Sequence, residues 1–176
     1  MRIRPLRPEH RAPLAALLVA TKAFSADEVD VALSLFDLSL TDASVGAAGA
    51  QDAPVDYEFL GAFDERERLT GYACFGPTPS TDGTYDLYWL AVDPAAQGHG
   101  HGRALLGEVE RVLAGRGARM LVAETSGRPD YAATRAFYLA TGYVEAARVN
   151  DFYAPADDRI LLHRRLTNRE RGVATR

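Results

Sequence analysis

Cysteine is almost absent from this chain, in which Cys74 is the single example. One thiol forms no internal disulfide and cannot build a cysteine-rich zinc cluster, so both kinds of scaffold are excluded. The scarcity suits a reducing compartment, and we expect a cytoplasmic protein. Lysine is equally scarce, because Lys22 is the single lysine and the other 19 of the 20 basic residues are arginines. The scarcity of lysine and the many alanines together indicate a GC-rich, bacterial coding sequence.

Long apolar runs are also missing. No run approaches the roughly 20 apolar residues that span a bilayer, and the charged N-terminal segment MRIRPLRPEHR lacks the apolar centre of a secretory signal. An excess of positive charge is missing too, because 24 acidic residues outnumber 20 basic ones and the net charge is −4. Nucleic-acid binding normally needs a basic face. We therefore expect neither a membrane nor a nucleic acid as partner.

The composition that remains is that of a globular protein, with 176 residues of which 47% are hydrophobic and 25% are charged. This length and composition suit one domain with a sizeable core. We assign residues 1–166 to a single domain. The Ala/Gly/Asp-rich residues 41–56 are predicted to be a mobile loop within it, and residues 167–176 to be a C-terminal tail.

The spacing of apolar residues divides the chain into helices and strands. A proline in the first turn and a capping box, Ser25 with Glu28, mark the starts of two consecutive helices. The predicted helices are 12–24, 25–38, 130–140 and one that runs from the end of a glycine-rich loop to Gly115. The predicted strands are 3–6, 57–63, 69–75, 84–92, 119–124, 143–150 and 159–166.

The order of these elements predicts the topology. Strand 84–92, a helical crossover of roughly 20 residues and strand 119–124 form a βαβ unit, which implies a parallel pair. Strand 84–92 is largely apolar without strict alternation, so we expect it to be buried on both faces. Antiparallel hairpins flank this pair. The fold class is therefore α/β, with a mixed sheet of about seven strands, a central parallel pair and helices on both faces.

The segment after strand 84–92 carries the strongest functional signal. It has three glycines in five positions, Gly98, Gly100 and Gly102, directly before a helix. Glycines let a ligand approach the backbone closely, and the first amides of a helix lack internal partners and carry partial positive charge. This pattern predicts an anion site suited to phosphate or pyrophosphate. The alternative is that the glycines form only a tight turn.

Known phosphate motifs narrow the choice of ligand. A nucleotide P-loop ends in Gly-Lys-Ser/Thr, whereas Gly102 precedes Arg103 here. A dinucleotide fingerprint needs a glycine three residues beyond its second glycine, where this chain has Arg103 or Leu105. A metal site on His99 and His101 lacks neighbouring ligands, so we expect no metal, with both side chains pointing to solvent.

These residues resemble the GNAT superfamily of acyl-CoA-dependent N-acyltransferases. The family signature is Gln/Arg-x-x-Gly-x-Gly/Ala at a strand–helix junction. Residues 97–102, with the sequence Gln-Gly-His-Gly-His-Gly, match it at every fixed position. The order of strands and helices also agrees over almost the whole chain.

A second segment of the family corresponds to residues 131–143. Its pattern is Asn-x-x-Ala-x-x-x-Tyr-x-x-x-Gly-Phe, and the tyrosine and glycine are kept as Tyr138 and Gly142. Three positions differ, because the chain has Tyr131, Thr134 and Tyr143 where the family has asparagine, alanine and phenylalanine. The two segments together are specific, whereas either alone is only suggestive.

The resemblance implies that acetyl-CoA binds in a gap where the two parallel strands splay. The backbone of Leu90, Ala91 and Val92 is expected to pair with the pantetheine arm. Tyr131 stands where the family has an asparagine that touches pantetheine, although a phenol cannot copy an amide. Backbone amides are expected to hold the pyrophosphate. The loop residues given this role are Gln97, Gly98, His99, Gly100, His101, Gly102 and Arg103.

The resemblance also implies an N-acetyltransferase in which an amine attacks the thioester directly. Tyr138 stands where the family has a tyrosine near the CoA sulfur and is the expected general acid. Asp86 is the first candidate base, because it lies six residues before Val92 and shares its strand face by parity; Glu124 is the second candidate. The alternatives are a Tyr138 that only packs, a solvated Asp86, a Glu124 that pairs with an arginine, and a base relayed through water.

The acceptor implied by the resemblance is a small-molecule primary amine or a peptide N-terminus. Acidic walls would favour a cationic amine. The carboxylates expected near it are Asp27, Glu28, Asp30 and Asp37 on helix 25–38 and Asp151, Asp157 and Asp158 in the last hairpin. Homodimer formation is an open option. A different class of function also stays open, namely a GNAT-like domain of weak activity that binds acyl-CoA as a sensor or assembly module.

Overall fold

Seven strands form one mixed sheet with two helices on each face, in a computed structural model that describes residues 1–42 and 57–166. The strands are β1 Arg2–Pro5, β2 Glu58–Phe63, β3 Leu69–Pro77, β4 Thr84–Val92, β5 Met120–Ser126, β6 Val144–Ala154 and β7 Asp157–Arg165. The helices are α1 Arg11–Thr21, α2 Ala26–Asp42, α3 His101–Gly115 and α4 Ala132–Ala140. The strand order is β1-β2-β3-β4-β5-β7-β6, and the β4–β5 pair is parallel. The predicted fold class is confirmed.

The parallel pair is short relative to its two strands. It runs from Thr84 opposite Met120 to Leu87 opposite Ala123, and β4 and β5 then continue to Val92 and Ser126 without pairing to each other. The unpaired halves leave an opening in the middle of the sheet. Beyond Leu87, the edge of β4 that faces away from β3 is free to bind an extended chain, in the way that any exposed strand edge is.

A bulge lies where the two strands part. On the β3 side, Phe75 pairs with Leu87 and Cys74 with Trp89, so Tyr88 is the extra residue. A bulge shifts the alternation of side chains along a strand. Leu87 accordingly packs in the core of one face, whereas Ala91, four residues later, packs in the core of the other. Strand β4 is half-buried rather than buried on both faces as expected, because the opening lies beside it.

Two cores sandwich the sheet. The core beneath α3 and α4 includes Leu105, Val109, Leu121, Ile160 and Tyr138. The core beneath α1 and α2 is built around α1 and α2 leucines and aromatic rings from β2 and β3. The sheet opening therefore connects two different surfaces, one under α3 and α4 and the other under α1 and α2.

The ends of the first two helices are set locally. Lys22 has a left-handed backbone with φ of 54°, which ends α1 three residues earlier than the predicted 24. The predicted capping box at the start of α2 is confirmed, since the Ser25 amide donates to Glu28 at 2.7 Å and the Glu28 amide donates to the Ser25 hydroxyl at 3.3 Å. Residues 41 and 42, predicted to begin a mobile loop, are still helical.

The rest of that predicted loop, residues 43–56, and the predicted tail 167–176 lie outside the described residues. The last hairpin is longer than predicted, because β6 continues to Ala154 and β7 begins at Asp157. Among the described helices, none is long and apolar enough to cross a membrane.

Candidate active site

A cavity of about 1220 Å³ occupies the sheet opening and extends under α1 and α2. It brings together five of the residues predicted to act in catalysis or to bind acetyl-CoA, namely Asp86, Leu90, Glu124, Tyr131 and Tyr138. Its other lining residues are Lys22, Ala23, Phe24, Ser25, Glu28, Leu87, Tyr88, Trp89, Val122, Thr125, Ser126, Arg128, Asp130, Thr134, Tyr153, Asp157, Arg159 and Leu161. Ala91, Val92 and the loop 97–103 are not part of this lining.

The glycine-rich loop is held in shape by its own side chains. The Asp93 carboxylate accepts the Ala95 amide at 2.8 Å and so caps the short turn Pro94–Ala96. The Gln97 side chain turns back and donates to the Val92 carbonyl at 3.2 Å. Gln97 thus has a structural contact, and it occupies one side of a carbonyl that the sequence assigned to pantetheine.

The loop presents a row of free amides. Within the described residues, the amides of 98–103 have no hydrogen-bond acceptor, and the Ala104 amide is the first to bond, donating to the Gly100 carbonyl at 3.0 Å. Gly98 and Gly100 have φ of 75° and 83°, and a Cβ added at either position meets only open space. Free amides at a helix start fit a pyrophosphate anion. The residues present therefore fit the phosphate end of acetyl-CoA.

Gly102 plays a different part from Gly98 and Gly100. An added Cβ there would lie 3.5 Å from Val92 and 3.6 Å from Phe137, which is ordinary packing distance. Gly102 therefore faces the sheet and α4. Of the three glycines, Gly98 and Gly100 are the ones that leave room for a ligand.

The two loop histidines point in different directions. His99 is exposed, as expected, and its Nδ1 lies 2.8 Å from the Gln97 carbonyl. His101 does not point to solvent, because its Nδ1 lies 2.8 Å from the Thr70 hydroxyl. The Thr70 hydroxyl donates to the Ala62 carbonyl at 3.1 Å, and a His101 tautomer with its proton on Nδ1 would complete this chain of hydrogen bonds. His101 ties the first turn of α3 to β3. No group of three or more metal-ligating side chains occurs among the described residues.

Tyr138 reaches the cavity from α4. Its side chain is 6% exposed, and its ring packs against Phe137 and Tyr143 with centroid distances of 5.4 and 5.3 Å. Burial raises the pKa of the Tyr138 phenol well above its usual value. The hydroxyl therefore keeps its proton at neutral pH and is available as a donor. Packing and a chemical role are compatible at this position.

Asp86 enters the cavity from β4. Thr78 donates to one of its oxygens at 2.8 Å, and no basic side chain of the described residues pairs with it. The expected shared face with Val92 is wrong, because the bulge at Tyr88 lies between them and inverts the alternation. Burial raises the pKa of Tyr88 to about 12, with the Asp86 carboxylate adding to the effect, so Tyr88 stays neutral beside Asp86.

Glu124 enters from β5 and is fully engaged. The Tyr153 hydroxyl donates to one carboxylate oxygen, and the Arg159 guanidinium forms an ion pair with the other. Arg159 also lies 4.9 Å above the Phe152 ring. The expected alternative, pairing of Glu124 with an arginine, is what the structure shows. The sequence did not single out Arg159, because its proximity depends on the β5–β7 register.

Tyr131 and Glu28 both line the cavity. Burial raises the pKa of the Tyr131 phenol, and the Glu28 carboxylate adds to the effect. The Ser126 hydroxyl donates to Asp157 in the same region. Of the seven carboxylates expected around the acceptor, Glu28 and Asp157 line the cavity. Two others are neutralised elsewhere, since Asp37 pairs with Arg11 at 2.8 Å and Asp158 with Arg148 at 2.9 Å.

Comparison of the chain with known proteins identifies the class of protein to which this fold and this loop belong. The Acetyltransferase (GNAT) family matches residues 33–143. A protein classified in the GNAT family of acetyltransferases, from Desulfovibrio desulfuricans, is 38% identical, with a TM-score of 0.84 over 94% of this chain and 99% of that one. The chain belongs to the GNAT acetyltransferase family.

Two more distant structures share the fold. The ribosomal-protein-S18-alanine N-acetyltransferase from Escherichia coli is 21% identical, with a TM-score of 0.69 over 99% of this chain and 98% of that one. The protein yncA from Salmonella typhimurium, solved with its cofactor acetyl-CoA, is 22% identical, with a TM-score of 0.70 over 99% of each chain. No curated protein matches the chain.

Proposed function

We propose that this acetyltransferase moves the acetyl group of acetyl-CoA to a primary amine of a cationic acceptor, either a small molecule or a peptide N-terminus. The observation that carries the proposal is the continuity of the site. A loop of free amides lies at the end of β4, and the sheet opens beside the same strand. The cavity in that opening contains the uncharged phenol of Tyr138 and the carboxylate of Asp86, which forms no ion pair with a described residue.

The parts of acetyl-CoA are assigned by the chemistry of the residues. The amides of 98–103 would hold the pyrophosphate, and the free edge of β4 at 88–92 would pair with the pantetheine amides. Acetyl-CoA supplies the thioester, whose acetyl carbon receives the amine. Gln97 already bonds the Val92 carbonyl, so the remaining groups of β4 carry more of this pairing.

The proton transfers of the reaction are assigned to two residues of the cavity. Asp86 removes a proton from the incoming ammonium, because its carboxylate faces the cavity without a cationic partner. Tyr138 gives its proton to the departing thiolate sulfur as the C–S bond breaks, because burial keeps the phenol protonated. The nitrogen then carries one proton more than the amide product, and this proton returns to the Tyr138 phenolate. Glu124 is less suited to be the base, since both of its oxygens are engaged by Tyr153 and Arg159. We assign it to positioning of the cavity wall.

The acceptor is proposed to be cationic because the cavity has an excess of negative charge. Five lining carboxylates, Glu28, Asp86, Glu124, Asp130 and Asp157, face three lining cations, Lys22, Arg128 and Arg159. Arg159 and Arg128 are paired with Glu124 and Asp130. Aromatic rings of Tyr88, Trp89, Tyr131 and Tyr153 line the same space and favour an ammonium group. The E. coli enzyme with the same fold is a ribosomal-protein-alanine N-acetyltransferase, which supports a peptide N-terminus as one candidate.

Release of the CoA thiol from acetyl-CoA across a panel of amines tests the proposal. The panel should contain amines with one positive charge, amines with several positive charges, peptides with a free N-terminus, and neutral and acidic amines. We expect turnover with cationic primary amines. Tight binding of acetyl-CoA without turnover on any amine would instead support the acyl-CoA sensor, and absence of acetyl-CoA binding would refute both.

A further inference from the structure

The hydroxyl of Thr125 is a buried polar group without a partner. The side chain is 6% exposed, and its Oγ1 has no hydrogen-bond acceptor or donor within the described part of the chain. Nearly all buried polar groups in folded proteins are bonded, so each exception calls for a reason. Among residues 1–42 and 57–166, three other side chains have a buried polar atom without a partner, namely Tyr72, Tyr143 and Arg159. Tyr72 and Tyr143 do not line the cavity, and Arg159 is already paired with Glu124.

Thr125 lies beside the sheet opening. The β4–β5 pairing ends at Ala123, and Thr125 is two residues further along β5, next to the unpaired half of β4. Side chains alternate along a strand, so Thr125 shares the face of Ala123, which packs in the same core as Tyr138. Glu124 and Ser126 face the opposite side of the sheet, toward α1 and α2. Thr125 therefore lines the cavity on the α3–α4 side, which is the side of the proposed acid Tyr138.

We propose that the Thr125 hydroxyl donates a hydrogen bond to a carbonyl oxygen of the acylated pantetheine arm. This rests on the proposed function. The arm carries two amide carbonyls and the thioester carbonyl, and it would be the one polar chain to pass between β4 and β5. Binding would then give the orphaned hydroxyl the partner that the protein itself does not provide.

A hydroxyl of this kind has opposite effects on folding and on binding. In the free protein an unmade bond costs stability, so Thr125→Val, which replaces the hydroxyl by a methyl of similar size, should leave Tm unchanged or raise it. In the complex the same change removes a bond, so the Kd for acetyl-CoA should rise about tenfold. If the Thr125 hydroxyl only packs, Thr125→Val should leave Tm unchanged or raise it without changing the Kd for acetyl-CoA.

The experiment compares wild type, Thr125→Val and Thr125→Ser in thermal unfolding and calorimetry with two ligands. Acetyl-CoA has the pantetheine arm, whereas 3′-phosphoadenosine 5′-diphosphate has the 3′-phosphate and the pyrophosphate and lacks the arm. We expect Thr125→Val to bind this arm-less nucleotide as wild type does, which also shows that it is folded, and to bind acetyl-CoA about tenfold more weakly. Thr125→Ser keeps the hydroxyl and should bind both ligands as wild type does.

Two results would overturn the assignment of Thr125. One is equal affinity of wild type and Thr125→Val for acetyl-CoA, and the other is equal weakening of both ligands, which would mark a structural defect. A wild-type protein that does not bind acetyl-CoA at all would instead refute the proposed function and this inference with it. The two failures are thus distinguished by the wild-type titration alone.

Discussion

Leu87 and Ala123 form the last pair of the parallel strands, and the site is built around the point where they part. On one side of that point lies the free edge of β4 leading to the glycine-rich loop, and on the other lie Glu124 and Thr125 of β5. The bulged Tyr88 follows Leu87 directly. One break in pairing therefore gives the protein both an edge for a bound chain and a passage between the two faces of the sheet.

Gly100 is the position where a side chain should harm binding most. Gly100→Val adds a β-branched side chain at φ of 83°, which costs roughly 1–2 kcal/mol, and its Cβ enters the open space before the free amides. We expect loss of acetyl-CoA binding in calorimetry. Gly107→Ala in α3 is the matched control, since Gly107 has equal open space without a positive φ, and it should bind normally and unfold at a higher temperature. Equal affinity in Gly100→Val would remove the loop from the site.

Tyr138→Phe should keep acetyl-CoA binding and lower kcat roughly 10²- to 10⁴-fold, the range for loss of a general acid. The ring packing with Phe137 and Tyr143 is retained, so Tm should change little. Tyr143→Phe is the control, because its ring is in the same cluster but does not line the cavity. An unchanged rate in Tyr138→Phe would leave Tyr138 with packing alone.

The raised pKa of Tyr138 also predicts the alkaline side of the pH profile. In the proposed mechanism the protonated phenol is the acid, and this form is lost only when pH rises through the pKa of Tyr138, which burial places well above the usual tyrosine value. We therefore expect kcat to show no decline from Tyr138 up to about pH 10, the usual pKa of tyrosine. A fall in kcat near pH 8–9 that Tyr138→Phe abolishes would contradict this.

Asp86→Asn should lower kcat/KM more at neutral than at high pH. The base is needed because the acceptor ammonium, with a pKa near 10 for an aliphatic amine and near 8 for a peptide N-terminus, is mostly protonated at pH 7, and the need lapses as pH rises. The Thr78 hydroxyl can still donate to the amide oxygen, so the fold is retained. Asp82→Asn, an exposed carboxylate outside the cavity, should have no effect. A pH-independent loss would assign Asp86 to binding, and no loss would favour proton transfer through water.

The order and type of the helices and strands could be predicted because each is long enough to show the period of its apolar residues. The bulge at Tyr88 could not be predicted. The run TYDLYWLAV is largely apolar on both sides of Tyr88, so one extra residue leaves no break in the pattern. That single residue decides that Asp86 faces the α1–α2 side. The loop motif predicted a phosphate site, but the different orientations of Gly100 and Gly102 depend on how α3 packs on Val92 and Phe137.

The places of Arg159 and Thr125 in the cavity could not be predicted, because they depend on pairing between strands that are distant in the sequence. Arg159 reaches Glu124 because β7 pairs with β5, and the unbonded Thr125 hydroxyl lies beside the half of β4 that does not pair with β5. A sequence without its strand register does not show either relationship. The carboxylates and aromatic residues of the last hairpin could be predicted to lie near the site, but the residues among them that face the opening could not.

Cys74 should be unreactive in the folded protein. The thiol is fully buried in β3, and burial raises its pKa well above the usual value, so little thiolate forms at neutral pH. We expect no labelling by an aromatic disulfide reagent until the protein unfolds in denaturant, when one thiol per chain reacts. Rapid labelling without denaturant would show that β3 opens locally. The expected inertness also means that released CoA can be titrated without a background from the enzyme.

The acidic cavity predicts that the KM of the acceptor rises with ionic strength. At 0.1 M salt the Debye length is about 10 Å, so attraction between the cavity and a cationic acceptor weakens as salt is added. Saturating acetyl-CoA removes the salt dependence of the phosphate loop from the measurement. Asp157→Asn should raise KM at low salt and flatten the salt dependence, because Asp157 lines the cavity and its donor is the Ser126 hydroxyl rather than a cation. Asp27→Asn makes the same change of charge on an exposed site of α2 outside the cavity and should leave KM as in wild type. A KM that does not respond to salt, or a preference for neutral or acidic amines, would refute the electrostatic argument and leave the acetyltransferase family membership unchanged.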